Sequence, residues 1–285
     1  MEKKCATTSP FETPSFIRIE PGRSWSALNV KELWDFRELL YFLTWRDIKV
    51  RYKQTVIGVA WAALQPLMTM VVFTVVFDKF AKMPSDGLPY PIFAYTALLP
   101  WHYFTKSLGH SIGSVVGSAN LITKVYFPRL LLPVSGTLPA FIDFGISFAF
   151  LLGMMTWFGI VPTWGLLVLP LFLLLAALTA LSIGLWLSAI NVRYRDVGQA
   201  IQFLTQLWMF ASPVAYPVSV VPEKWRLLYS LNPMVGVIEG FRWAVLGKQM
   251  PNLVPIIISM AIVFLLLVGG IIFFKRMERS FADVV

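Results

Sequence analysis

From Phe144 to Val192 the chain carries no charged residue. A single helix over that run, rising about 1.5 Å per residue, would exceed 70 Å, more than twice the roughly 30 Å hydrocarbon core of a bilayer. The run therefore has to fold back, and Gly159, Pro162 and Gly165 supply the turn signals near its middle. The expectation is a hairpin of two membrane-crossing helices.

Other stretches repeat the pattern. Gln54 to Phe77 is free of charge and long enough to cross once. A less clean stretch from Ile92 to Ser118 is interrupted by Pro100 and Lys106, and its helix is expected to begin near Pro100 or Trp101, since proline suits a first helical turn. Further spans are expected within Val197 to Val214 and Leu253 to Phe274. With 57% hydrophobic residues, only 14% charged and a mean hydropathy of +0.70 over 285 residues, the reading is an all-α integral membrane fold of six transmembrane helices.

Lysine and arginine alternate across the connections as an inside-positive topology requires. Arg46, Lys49, Arg51 and Lys53 precede the first span, Lys124 and Arg129 separate the second and third, and Arg193 and Arg195 separate the fourth and fifth. Lys275, Arg276 and Arg279 follow the sixth. Both termini are thus expected in the cytoplasm. The net charge of +9 is accounted for by these flanks and does not call for a nucleic-acid partner.

Residues 1–28 read as a flexible cytoplasmic lead-in without a signal-type apolar core. Residues 29–53 read as an amphipathic interface helix leading into the first span. Asn29 caps it, and Leu33, Phe36, Leu40 and Leu43 form its stripe; an ordinary soluble amphipathic helix is the alternative. Residues 54–274 form the transmembrane domain and 275–285 a cytoplasmic tail. Within it, residues 215–252 come in apolar pieces too short to span and too apolar for a plain loop, which suits re-entrant half-helices before the last span, or else a loop lying on the membrane.

No phosphate-binding loop, dinucleotide fingerprint or H-E-x-x-H motif is present, and Cys5 is the only cysteine, so neither a disulfide framework nor a cysteine-based metal cluster is expected. His102 and His110 lie eight residues apart on one predicted helix, about 80° around it, and no shared metal is expected. Lys106 and Asp143 are charges within or near predicted spans and are functional candidates; a helix-packing role for Asp143 is the alternative. Two rows of small residues, Gly109, Gly113, Gly117 and Ala180, Gly184, Ser188, invite close helix approach, within the chain or between two copies. Aromatics are 15% of the chain. Trp101, Tyr103, Phe104, Trp208, Phe210, Tyr216, Trp225 and Trp243 fall near predicted outer ends, as a membrane-interface belt or as a path on which sugar rings slide.

The segment ANLITKVYFPRLLLP (119–133) resembles the inner loop of ABC-2 type permeases that export polysaccharides such as O-antigen, capsule or teichoic acid. WRDIKVRYKQTVIGVAWAALQPL (45–67), LLPWHYF (98–104), NVRYRDV (191–197), ASPVAYP (211–217) and LNPM (231–234) look like hallmarks of the same family in the same order. The resemblance spans about residues 30–280. It implies a homodimer of six-span subunits above two separate ATPase subunits, with ATP and magnesium bound there and no cofactor in this chain. It assigns ATPase coupling to the stretch from Ala119, with Asn120, Leu121, Lys124, Val125, Tyr126, Phe127, Pro128 and Arg129, and takes Lys124 and Arg129 as polar contacts. It further implies a lipid-linked glycan substrate, typically on undecaprenyl diphosphate, with Arg46, Lys49, Arg51 and Lys53 as candidate diphosphate contacts. Membrane lipids complete the partners, and the bacterial inner membrane is the implied location. An ABC-2 permease for a lipid or drug, or an integral membrane glycosyl or acyl transferase, are the alternatives.

Overall fold

The computed structural model describes residues 34–53, 59–247, 253–278 and 281, and among them all regular structure is helical. The expected flexible lead-in, the Asn29 cap, Leu33 and Arg279 lie outside the described residues. Helix α1 (Arg37–Lys53) is followed by α2 (Ala60–Phe73), which continues without a break into a π-helical stretch, Thr74–Phe80. Next come α3 (Tyr90–Gly117), the short α4 (Ala119–Lys124) and α5 (Leu131–Thr137), and α6 (Ala140–Trp157). A 3-10 turn (Trp164–Leu167) leads into α7 (Leu169–Arg193), which α8 (Val197–Phe210), α9 (Glu223–Tyr229), α10 (Pro233–Leu246) and α11 (Leu253–Glu278) follow.

Among the described residues, four helical runs are long and apolar enough to cross a membrane: Ala60–Phe80, Leu131–Trp157, Leu169–Arg193 and Leu253–Glu278. The turn expected in the uncharged run falls where its signals lie. Helix α6 ends at Trp157, Gly159 adopts φ 67°, and α7 starts at Leu169. Helix α8, at 14 residues, is only about 21 Å long and shorter than a straight span needs.

The second expected helix starts ten residues before the predicted point. Its first helical residue is Tyr90, and Pro100 lies inside it. Proline removes one backbone donor and normally interrupts a helix, but here packing overrides it. Ile92, Phe93, Ala94, Tyr95, Ala97, Leu98 and Leu99 are all buried, and a helix that is apolar all round belongs at the centre of a bundle. Helix α3 is that centre, packing against α7, α5, α6, α10 and α2, while α11 closes the far side of α7. Gly184 makes the α3–α7 approach possible, because a Cβ there would meet Ser111 Oγ at 2.3 Å.

A second apolar cluster lies at the end of the bundle where α1, α4 and the last turns of α7 and α11 converge. Leu43, Ile122, Phe127, Leu130, Leu185, Val192, Phe274 and Phe281 are buried in it. Phe36 and Leu40 of the expected stripe pack against it, Leu39 joins them, and Trp34, Tyr41, Phe42, Trp45 and Val50 are exposed on and just before α1.

Candidate functional site

The two charges singled out within or near the expected spans meet in space. A cleft of about 670 Å³ opens between the end of α1, one face of α2, the middle of α3 and the start of α6. On α2, Trp61, Gln65, Met68 and Thr69 recur at helical spacing and line it. Across from them Asp143, in the first turn of α6, accepts from three donors. Its Oδ2 takes Nη1 of Arg51 at 2.8 Å and Nζ of Lys106 at 3.2 Å, and its Oδ1 takes the Tyr52 hydroxyl. Nη2 of Arg51 donates to Nε2 of His110, which requires the neutral ring with its proton on Nδ1.

Asp143 is nearly enclosed, at 8% side-chain exposure, whereas Arg51 and Lys106 keep 23% and 24%. All three line the cleft, the cations with more of their surface open than the carboxylate. Two cations share one carboxylate, so a surplus of positive charge lines the wall. Burial, reinforced by Asp143, pushes the Tyr52 hydroxyl up to about 12, so it stays a donor at physiological pH. The arrangement can hold an anionic group against Arg51 and Lys106 with an apolar moiety along Trp61 and Met68.

Of the four basic residues proposed to meet a diphosphate, only Arg51 reaches this cleft. Arg46, Lys49 and Lys53 surround a separate groove of about 370 Å³ with Phe42, Trp45 and Val50. Helix geometry separates them, since 46, 49 and 53 share one face of α1 and 51 lies on another. In that groove Lys49 lies 5.6 Å from the Trp45 ring centroid and Arg46 bonds to neighbouring Asp47 at 2.9 Å.

The segment after α3 divides cleanly. Asn120, Lys124, Val125 and Tyr126 are exposed, Leu121, Pro128 and Arg129 are half-buried, and Phe127 is buried beside Ile122. Arg129 is occupied within the chain. Its guanidinium donates to the main-chain carbonyl of Glu278, and its backbone N–H donates to the Glu278 carboxylate at 3.2 Å. It thereby satisfies a carbonyl in the last turn of α11 that the helix itself leaves open.

Trp101, Tyr103 and Phe104 are buried inside the subunit. Trp208, half-buried on α8, packs edge-on to Trp101 at 6.3 Å and Phe104 at 5.2 Å. Phe210 is 52% exposed, and half-buried Tyr216 donates to its carbonyl at 2.9 Å. As placed, Phe210 offers the broad aromatic surface and the α3 rings offer core packing.

Two of the hallmark segments, 211–217 and 231–234, bind one another. Asn232 caps α10 by accepting from the Met234 N–H, and its amide donates to Ala211 O and Ser212 Oγ. Arg242 reaches back to the same loop, donating to Val214 O at 2.9 Å and Tyr216 O at 3.4 Å, with Glu239 at 3.3 Å. Sequence reasoning passed over this pair, although Glu239 and Arg242 are the charges in an otherwise apolar helix and stand one turn apart. It also passed over Tyr52 and the α2 face, whose roles depend on contacts some 90 residues distant.

The bundle, its four long apolar runs and a cleft with charges placed among them define a multi-pass helical membrane protein. The description ABC-2 type transporter matches residues 38–246, and the chain belongs to that family. It is 30% identical to an O-antigen export system permease protein RfbA of Myxococcus xanthus over 258 residues, 90% of this chain and 98% of that protein. It is 25% identical to an RfbA of Klebsiella pneumoniae over 252 residues, 87% and 95% of the two chains. A polysialic acid transport protein KpsM of Escherichia coli is 21% identical over 215 residues, 70% and 78%. The chain is a transporter permease by family.

Proposed function

We propose that this chain is the transmembrane permease subunit of an ATP-driven exporter that carries a lipid-linked polysaccharide, of O-antigen type, across the bacterial inner membrane. The similarity to export permeases over nearly their whole length supports this reading, and the cation-lined cleft with its apolar wall is the observation that carries it. Arg51 and Lys106 would receive the diphosphate, and the α2 face would guide the polyprenyl chain. Arg46, Lys49 and Lys53, on the other groove, would draw anionic lipid headgroups toward α1.

Six spans with both termini cytoplasmic follow if α3 and α8 are added to the four long apolar runs, α8 completing its crossing through the loop at 211–217. Helices α9 and α10 then form the re-entrant pair before α11. Two copies would enclose the path, and two separate ATP-binding subunits carrying ATP and magnesium would sit beneath. The exposed stretch Asn120, Lys124, Val125 and Tyr126 would dock on them. Phe210 and Tyr216 are the aromatics placed to touch a passing glycan.

Deleting the gene should abolish the surface polysaccharide and leave lipid-linked glycan inside the cell. Normal surface glycan in the deletion strain would overturn the reading. Turnover of a lipid-linked sugar by the purified chain without an ATPase would favour a transferase instead.

A further inference from the structure

Asp143 Oδ2 bridges a guanidinium and an ammonium from different helices, Arg51 on α1 and Lys106 on α3. A phosphate oxygen could occupy that position. Both cations select partners by charge and oxygen geometry, and a phosphate or diphosphate offers more of each than a single carboxylate. Arg51, Lys106 and Asp143 all line the cleft, the two cations with more of their surface open than the carboxylate, and Asp143 has another anchor in the Tyr52 hydroxyl. Trp61 and Met68 line the same cleft with apolar surface.

We propose that Asp143 is a displaceable counter-anion: a phosphate-bearing lipid headgroup entering the cleft takes Arg51 and Lys106 over from it. This rests on the reading of the cleft as the headgroup site and adds an internal competitor to it. The exchange makes and breaks no covalent bond. It sets the threshold for loading, because the headgroup must outbid a resident carboxylate, and it transmits loading to α1, whose Arg51 changes partner. Asp143 is thus a positioning residue rather than a ligand contact.

The test uses the full-length chain in nanodiscs, with undecaprenyl diphosphate, undecaprenol and inorganic pyrophosphate as probes. In the unsubstituted chain, labelling of Asp143 by an apolar carbodiimide, read by mass spectrometry, should rise several-fold with undecaprenyl diphosphate and stay at baseline with undecaprenol. A rise with pyrophosphate as well would assign the exchange to the phosphates alone; a rise confined to the lipid would add the apolar wall; both outcomes support the proposal. No rise, or an equal rise with undecaprenol, overturns it. Asp143→Asn should bind undecaprenyl diphosphate several-fold more tightly, whereas Arg51→Gln and Lys106→Gln should bind it about tenfold more weakly or worse. Folded Asp143→Asn protein that binds no better than the parent also overturns it. The assay needs no glycan or nucleotide, so a chain that exchanges but exports nothing would remove only the proposed function.

Discussion

The guanidinium carbon of Arg242 lies 3.7 Å from the centroid of the Phe93 ring, which fastens α10 to the first turn of α3. The same side chain holds the carbonyls of Val214 and Tyr216, so one residue joins α10, the start of α3 and the loop at 211–217. Replacing Arg242 by Met should destabilise the protein by about 3 kcal/mol, because Glu239 and two carbonyls would lose a charged donor. Thermal unfolding in detergent should show a clear loss, and an unchanged midpoint would mean the network contributes nothing.

Lys124 and Arg129 should separate in their effects. Lys124→Glu changes an exposed charge and should weaken ATPase co-purification while leaving the melting temperature unchanged. Arg129→Glu sets a carboxylate against the end of α11 and should lower both. If the two variants behaved alike, the division between an outward and an inward cation would be wrong.

The two rows of small residues also differ. Around Gly109, Gly113 and Gly117 no described atom lies within 4 Å of an added Cβ, whereas at Gly184 the Cβ would overlap Ser111. Gly184→Val should therefore cost about 2 kcal/mol or more by overpacking. Gly113→Leu should leave the monomer's melting temperature near that of the parent and reduce chemical cross-linking between copies. Equal losses of stability would contradict the placement of these rows.

Aromatic substitutions provide a fourth contrast. Trp101→Ala and Phe104→Ala empty a packed core and should lower protein level and export together, at a cost of about 3–5 kcal/mol each. Phe210→Ala removes an exposed ring and should reduce export at normal protein level. Export that follows protein level in all three variants would confine these rings to structure.

Much of the helical layout was legible in the sequence, because apolar run length and glycine or proline breaks act locally. The α6–α7 turn is placed by Gly159 and its neighbours, and Lys106 and Asp143 stood out as charges where charge is expensive. Pro100 misled because its local effect is overridden by burial on every side of the first half of α3, and burial is not a local property. For the same reason Trp101 and Phe104 read as interface residues until the helices around them were in place. That Arg51 rather than Arg46 or Lys49 meets Asp143 depends on how α1 is rotated against α5 and α6. Arg129 likewise finds Glu278 across 149 positions.

The apolar cluster joining Leu43, Ile122, Phe127, Val192, Phe274 and Phe281 has a mechanical consequence. Close-packed side chains cannot slide apart by even a fraction of a methyl group without opening voids. Helix α1, the exposed stretch after α3 and the ends of two long helices thus make a single footplate. A force applied to Tyr126 is delivered to all four pieces at once, and Arg51, eight residues along α1 from Leu43, rides on the same plate.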